Sequence, residues 1–171
     1  MPPHWSQDVY EELKARQVET VATVPDGGLI ELLDLCEDDT AIRVVTLSSE
    51  QEGIGLLFGL WLGGKRSALF LQSSGTGNCI NALSLPAITE TPCLMLVTMR
   101  GEAGEHNPWQ VPMGEGTRPA LEAMGVKCFS PENAAQVGPV FAEAAAFAFD
   151  QGGRAAVLVH QHIIGTKEFA K

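Results

Sequence analysis

Two carboxylates in the run Ser49-Glu50-Gln51-Glu52 could work as acids or bases, and their spacing predicts different tasks for them. A serine followed three residues later by a glutamate is the capping box that opens a helix, so Glu52 is predicted to lie three residues past the cap and to have a structural task. Glu50 then occupies the first helical position, where its carboxylate is free to face a ligand and to hold or move a proton. The alternative is that Glu50 only favours the helix dipole, as many first-turn acids do.

A glycine-rich run, Ser73-Ser74-Gly75-Thr76-Gly77-Asn78, is the second candidate and precedes a predicted helix. Glycines allow a ligand to approach the backbone closely, and a helix N-terminus offers free N–H groups. The run lacks the Lys-Ser/Thr pair of a Walker A loop, and Ile80 stands where a dinucleotide fingerprint has its third glycine. The run is therefore either part of a ligand pocket or a tight turn with a helix cap.

Arg100 and His106 share a polar loop that runs from Arg100 to Pro112 and also contains Glu102, Glu105 and Asn107. An isolated loop histidine is usually only solvated, but a guanidinium and an imidazole together could contact a substrate. We keep both interpretations of His106 open.

The pair His160 and His162 lies at the end of a predicted strand and could suggest a metal. A zinc-type site needs three or four ligands, and the sequence offers no carboxylate or cysteine close by. We therefore predict no metal site in this chain.

The composition limits the classes of function. The chain has 171 residues, of which 45% are hydrophobic, and a formal net charge of -10, which disfavours binding to nucleic acid. Its four cysteines form no Cys-x-x-Cys pair and are predicted to be buried free thiols. Without a recognisable signal peptide or membrane span, we predict a cytoplasmic single domain over residues 1–171, with its core at about 18–165.

Six short apolar or β-branched runs alternate with helical patterns and indicate the elements that position these residues. The strands are predicted at Thr20–Val24, Ile42–Leu47, Ser67–Leu71, Cys93–Met99, Val126–Phe129 and Ala155–His160. The helices are predicted at Ser6–Arg16, Leu29–Leu35, Ser49–Gly63, from the glycine-rich run to about Leu85, at Thr117–Met124 and at Pro131–Asp150. The tail Gly165–Lys171 is expected to be poorly ordered.

This order predicts an α/β fold: a doubly wound, mainly parallel six-stranded sheet with helices on both faces. Ligands of such sheets bind beyond the carboxyl ends of the strands. Four loops meet there in the prediction, and together they form the expected site. They are Pro25–Gly28, Ser48–Gln51, Gln72–Asn78 and Arg100–Pro112.

Three glycines recur every four residues on the helix behind Glu50, at Gly55, Gly59 and Gly63. Each costs about 1 kcal/mol relative to alanine in a helix interior, so the repeat suggests close approach by another backbone. A subunit interface and dense packing within one chain are both consistent with this pattern.

The ordered set of loops resembles the pyrimidine-binding domain of thiamine-diphosphate enzymes, and most of all the sulfopyruvate and phosphonopyruvate decarboxylases. The resemblance is carried by Val24-Pro25-Asp26-Gly27-Gly28, Glu50-Gln51-Glu52-Gly53 leading to Gly59, Gln72 through Asn81, and Met99-Arg100-Gly101-Glu102. It extends over roughly Thr20 to Gly165. Aligned on Gly59, it places the family's cofactor-activating glutamate at Glu50.

The resemblance implies a thiamine-diphosphate-binding fold that supplies only half of an active site. The family's diphosphate-binding domain carries a Gly-Asp-Gly motif for Mg²⁺ and the diphosphate, and this sequence lacks that motif. It therefore implies an alpha subunit that works with a diphosphate-binding beta subunit, which would hold the Mg²⁺ ligands, in an α2β2 or larger assembly. Self-association would accompany this pairing.

The implied activity is decarboxylation of a 2-oxo acid, with Glu50 as the catalytic residue that bonds the aminopyrimidine of thiamine diphosphate. The residues implied to line the cofactor are Pro25, Glu50, Gly75, Thr76 and Asn78. Those implied to meet the substrate are Asp26, Gln72, Ser73, Arg100 and His106, the last two through an anionic head such as sulfonate or phosphonate.

Two alternatives remain open at this point. The same domain serves carboligases of the acetolactate-synthase type, which also begin from a 2-oxo acid. A non-catalytic nucleotide-binding or regulatory α/β module is the alternative from a different functional class.

Overall fold

The computed structural model describes residues 5–165, and these residues form one parallel sheet with helices on both faces. The strands are β1 Val18–Thr23, β2 Arg43–Thr46, β3 Arg66–Gln72, β4 Cys93–Thr98, β5 Lys127–Phe129 and β6 Arg154–Val159. The helices are α1 Trp5–Ala15, α2 Ile30–Glu37, α3 Glu50–Leu62, α4 Ser73–Cys79, α5 Ser84–Ile88, α6 Val111–Ala123, α7 Ala134–Phe149 and α8 Gln161–Ile164.

All strand pairs are parallel, in the order β2-β1-β3-β4-β6-β5, so the predicted doubly wound α/β sheet of six strands is confirmed. The chain moves from β1 to one side for β2 and to the other side for β3. This switch point brings the loop after β1 beside the carboxyl end of β3, where open α/β sheets bind ligands.

The alternation of side chains along the strands divides the core between the two faces of the sheet. In β3, Phe70 packs towards α1, α2 and α7, whereas Leu69 and Leu71 pack towards α3, α4 and α6. Strand β4 is buried along its whole length, as its continuous apolar sequence predicts. The sheet therefore provides a rigid base for the loops at its carboxyl edge.

The glycine-rich run is helical, contrary to the loop predicted there. Helix α4 begins at Ser73, directly after β3, and the predicted longer helix divides into α4 and α5. Tertiary contacts override the poor helix propensity of glycine, since Thr76 and Cys79 are fully buried against neighbouring elements.

Two helix boundaries differ from the prediction, and in both cases a proline lies inside the first turn of the helix. Pro86 is the third residue of α5, although a helix was predicted to end before this proline. Pro112 is the second residue of α6, which starts six residues before the predicted Thr117. Proline is tolerated in a first turn because the N–H groups there have no intrahelical acceptor.

Helix α8 follows β6 immediately and was not predicted. Apart from Gly165, the tail expected to be poorly ordered lies outside the described residues. Within residues 5–165, no helix is long and apolar enough to cross a membrane.

The four cysteines are free thiols, as predicted. Cys36, Cys79 and Cys93 are buried and Cys128 is partly exposed. Burial raises the pKa of the first three thiols to about 12.

Candidate active site

Glu50 begins helix α3, as the capping argument predicts, and its carboxyl group is only 8% exposed. Asn78 Nδ2 donates a hydrogen bond of 2.8 Å to Glu50 Oε2. The other oxygen lies against the backbone of Gly75, where an added β-carbon would be 2.2 Å from Oε1. Glu50 is therefore held between α3 and α4 by one amide donor and one bare glycine.

Glu52 has the structural task that the sequence predicts, although the capping box is incomplete. Its Oε2 accepts a hydrogen bond of 3.1 Å from the Ser48 N–H, and the side chain is exposed. Ser49 is the N-cap residue, but its hydroxyl makes no capping bond. Glu52 thus bonds the N–H of the residue before the N-cap and has a structural task, whereas Glu50 is buried and does not cap the helix.

Asp26 is the centre of a buried hydrogen-bond network at the switch point, and its side chain is 2% exposed. Oδ1 accepts from Gln72 Nε2 at 2.6 Å, and Oδ2 accepts from Gly28 N at 2.9 Å and Thr98 Oγ1 at 3.0 Å. Arg100 Nη2 adds an ion pair at 3.2 Å. A carboxylate can accept several hydrogen bonds at once, so Asp26 fixes the positions of all these donors.

The amide of Gln72 is oriented by this network. Since its nitrogen must face the Asp26 carboxylate, its oxygen faces outward and accepts from Ser74 Oγ at 2.7 Å and from Gln110 Nε2 at 3.1 Å. The Gln72 side chain thus joins the segments after β1, β3 and β4 at the carboxyl edge of the sheet, through Asp26, Ser74 and Gln110.

Arg100 lies deeper than a loop arginine is expected to, at 4% exposure. Its backbone N–H donates to Ser73 Oγ at 3.0 Å, and its guanidinium contacts Asp26 and the carbonyl of Gly165. Arg100 Nε is buried and has no hydrogen-bond partner among the described residues. A buried N–H without an acceptor is costly, so this atom has capacity for one further acceptor.

Ser73 and Thr76, both predicted to line the site, have side chains that are fully buried behind it. Thr76 Oγ1 donates to the carbonyl of Ser73 at 2.6 Å and lies 3.2 Å from Thr117 Oγ1. Pro25 is exposed beside Asp26. Both residues are fully buried, backbone included, so in this structure they support α4 from behind the site and offer no surface to a ligand.

Within residues 5–165, no hydrogen bond or ion pair joins the Arg100 side chain to another charged residue of the loop after β4. His106 is exposed, and Glu102 pairs with His160 Nδ1 at 2.6 Å. Burial alone would raise the pKa of Glu102, but the hydrogen bonds from His160 and the Gln161 N–H, with the nearby charges of His160 and His162, together outweigh it and lower that pKa. Glu105 bonds backbone N–H groups of its own loop.

Sequence reasoning missed three residues of the network: Thr98, Gln110 and Gln161. Thr98 could have been found, because it is the last residue of a strand whose carboxyl end faces the site. Gln110 and Gln161 carry no comparable signal, since only the fold brings them to Gln72 and to the loop after β4.

A comparison with protein-family models matches residues 4–136 to "Thiamine pyrophosphate enzyme, N-terminal TPP binding domain". Among curated proteins, the chain is 38% identical over 128 residues to the sulfopyruvate decarboxylase subunit alpha of Methanococcus maripaludis, covering 74% of this chain and 77% of that one. It is 34% identical over 125 residues to the protein of the same name from Methanocaldococcus jannaschii, covering 72% and 74%.

A phosphonopyruvate decarboxylase from Streptomyces viridochromogenes is 36% identical over 99 residues, which cover 57% of this chain and 25% of that one. Among solved structures, 2-oxoglutarate:ferredoxin oxidoreductase from Magnetococcus marinus aligns with a TM-score of 0.70 and 15% identity. The alignment covers 94% of this chain and 29% of that chain, and at this identity it supports the fold alone.

Proposed function

The chain belongs to the thiamine pyrophosphate enzymes, as an N-terminal TPP-binding domain, and we propose that it is the alpha subunit of a thiamine-diphosphate-dependent 2-oxo acid decarboxylase. The observation that carries this proposal is the buried Glu50 carboxylate between Asn78 and Gly75. Relatives named as decarboxylase alpha subunits favour this activity over carboligation or a regulatory role.

The residues around Glu50 fit the pyrimidine end of the cofactor. Within the described part of the chain, Asn78 is the one hydrogen-bond donor to Glu50, so Oε1 is left to meet a ring nitrogen. Any side chain at position 75 would fill the space next to this oxygen. Pro25, Gly75 and Asn78 would complete the cofactor side, and Thr76 would support α4 from behind through its hydrogen bond to the Ser73 carbonyl.

When bound, thiamine diphosphate supplies the carbon nucleophile and the electron sink for loss of carbon dioxide. Glu50 Oε1 would hydrogen-bond the pyrimidine ring nitrogen, and the Glu50 carboxyl could hold or move a proton at that atom. Asn78 orients the Glu50 carboxyl through Oε2, and the small exposure of Glu50 excludes water from this contact.

For the substrate we propose sulfopyruvate. Phosphonopyruvate is the alternative, and the assay of carbon dioxide release described below distinguishes the two. Asp26, Gln72, Ser73 and Arg100 lie at the switch point, and His106 lies exposed on the loop beyond them. The unpartnered Arg100 Nε supports an anionic substrate, because an acceptor oxygen there would satisfy it. The alignments with alpha subunits named for sulfopyruvate extend over 128 and 125 residues, against 99 for a phosphonopyruvate decarboxylase, and this favours the sulfopyruvate enzyme.

A diphosphate-binding beta subunit would complete the site and carry the Mg²⁺ ligands. Gly55 and Gly59 support an interface on α3, since both are exposed and an added β-carbon would meet no atom within 4 Å. Dense packing within the chain therefore does not explain these two glycines. Self-association into α2β2 or a larger assembly, and the cytoplasmic location, stay predictions.

The test is coexpression with a candidate diphosphate-binding chain, purification of the complex, and measurement of carbon dioxide released from a set of 2-oxo acids. Sulfopyruvate is expected to react fastest, and only with thiamine diphosphate and Mg²⁺ present. Formation of acetolactate from pyruvate instead would favour the carboligase. Tight nucleotide binding by the chain alone, without turnover in the complex, would favour the regulatory module.

A further inference from the structure

Gln161, the first residue of α8, is 2% exposed and its side chain lies against the loop that follows β4. Its Oε1 accepts a hydrogen bond of 3.1 Å from the Glu102 N–H, and its Nε2 donates to Glu105 Oε2 at 3.0 Å. Because an ionised carboxylate only accepts, the amide can face Glu105 only with its nitrogen. Both ends of the Gln161 amide are therefore used, in one orientation.

The two glutamates return further bonds to the same region. Glu102 Oε2 accepts from the Gln161 N–H at 2.7 Å, so the two residues are joined reciprocally. Glu105 accepts from the Gly101 N–H at 3.2 Å and from the Asn107 N–H at 2.9 Å. Side chains thus satisfy backbone donors of a segment that has no regular secondary structure, and this fixes its conformation.

The sheet topology explains why a residue after β6 can hold a loop after β4. The two strands are neighbours, with Thr98 paired to Val159, so the chains that leave them run side by side. The loop reaches the candidate site at both ends, through Arg100 at Asp26 and through Gln110 at Gln72. His106 lies in the chain between Glu105 and Asn107, which are joined by the hydrogen bond from the Asn107 N–H to the Glu105 carboxylate.

We propose that Gln161 is a positioning residue that holds the segment 101–107 in the conformation in which Arg100 and His106 meet the anionic substrate. The substrate part rests on the proposed function, whereas the hold on the loop rests on the hydrogen bonds alone. Gln161 touches neither cofactor nor substrate in this proposal and acts through the loop.

The first test is Gln161→Met in the complex with the beta subunit, which keeps the side-chain length and removes both hydrogen bonds. Amide exchange at Gly101, Glu102 and Asn107 is expected to become at least about tenfold faster. KM for sulfopyruvate should rise about tenfold with kcat within about threefold, because the loop contributes to binding rather than to the bond-breaking step. Affinity for thiamine diphosphate with Mg²⁺ should not change.

Gln136→Met is the matched control. Gln136 also accepts from a backbone N–H, that of Glu132 at 2.9 Å at the start of α7, and within residues 5–165 it makes no hydrogen bond to segment 101–107. Its substitution should leave both the exchange of segment 101–107 and KM at the values of the unsubstituted complex.

Gln161→Glu gives a readout that general loss of structure would not produce. It places a second carboxyl group against Glu105, and like charges raise the pKa of one of the pair. As the pH falls from about 8 to about 5, a proton shared by the two carboxyls restores the bond, so KM relative to the unsubstituted complex should fall. The other charged groups facing this position are Glu102, His160 and Arg100, and all three are present in both proteins.

The proposal is overturned if amide exchange in segment 101–107 is unchanged in Gln161→Met. It is also overturned if that exchange becomes faster while KM for sulfopyruvate stays the same. A KM ratio for Gln161→Glu that does not vary with pH also contradicts it. If the unsubstituted complex releases carbon dioxide from no 2-oxo acid, the proposed function fails separately, and the exchange measurement still decides whether Gln161 holds the loop.

Discussion

The Glu50 carboxylate lies so close to Gly75 that a β-carbon on Gly75 would be 2.2 Å from Oε1 and 2.4 Å from the carboxyl carbon. Contacts this short cannot persist, so the position of the carboxylate depends on the absence of a side chain from α4. The position of the Glu50 carboxylate is therefore set by two helices that follow different strands, α3 after β2 and α4 after β3.

Gly75→Ala should abolish most activity and leave the fold intact. The methyl group would displace the end of a flexible Glu50 side chain, while alanine favours the helix by up to about 1 kcal/mol. We expect kcat of the complex to fall at least about a hundredfold, because small misplacements of reacting groups have effects of that size. Steady-state kinetics and thermal unfolding measure the two effects.

Gly77→Ala is the control within the same helix. An added β-carbon there would lie 3.7 Å from Met113 Cε, an ordinary contact. This variant should keep its activity. Equal loss of activity in both variants would show that α4 tolerates no alanine and would contradict the role given to Gly75.

Glu50→Gln should lower kcat of the complex by at least about a thousandfold, because an amide cannot hold and exchange the proton. The fold should persist, since the side chain keeps its shape and Asn78 can still donate to its oxygen. Glu52→Gln, two residues along the same helix, should retain most activity. Turnover by Glu50→Gln at the unsubstituted rate would remove the basis of the proposed function.

The ion pair between Asp26 and Arg100 should contribute strongly to stability, because both side chains are at most 5% exposed. Removing one partner leaves the other charge buried, at a cost of about 3–5 kcal/mol. Asp26→Asn and Arg100→Met should each lower the free energy of unfolding in urea by about that amount. The double variant should lose clearly less than the sum of the two, and strict additivity would show that the pair is not coupled.

The buried thiols should make stability fall at high pH. The pKa of Cys79 is raised from 9.0 to about 12, chiefly by burial and further by Cys93 and Glu50. The folded state keeps this proton where the unfolded state loses it, so the stabilisation is complete below pH 9 and disappears as the pH rises towards about 12.

Urea unfolding at successive pH values between 8 and 11 measures this decline, with Cys79→Ala as the comparison that removes one contribution. At pH 8, thiol reagents should label the folded protein slowly and Cys128 first, because it is the partly exposed one. Rapid labelling of Cys79 in the folded protein would contradict the burial described above.

Much of the architecture follows from local pattern. Continuous apolar runs predicted β3, β4 and β6, and the spacing of Ser49, Glu50 and Glu52 separated the two glutamates correctly. The boundaries that failed lie where tertiary contacts outweigh residue preference: the helical glycines of α4, Pro86 within α5, and the early start of α6.

The sequence by itself predicted the parallel sheet, the order of its loops and Glu50 as the candidate residue, because apolar runs, turns and helix starts are local patterns. Only the tertiary structure decided that Arg100 is buried on Asp26, that Gly75 adjoins Glu50, and that Gln161 holds the loop after β4. These contacts join residues from separate strands and helices, and their geometry arises when the sheet packs its loops along one edge.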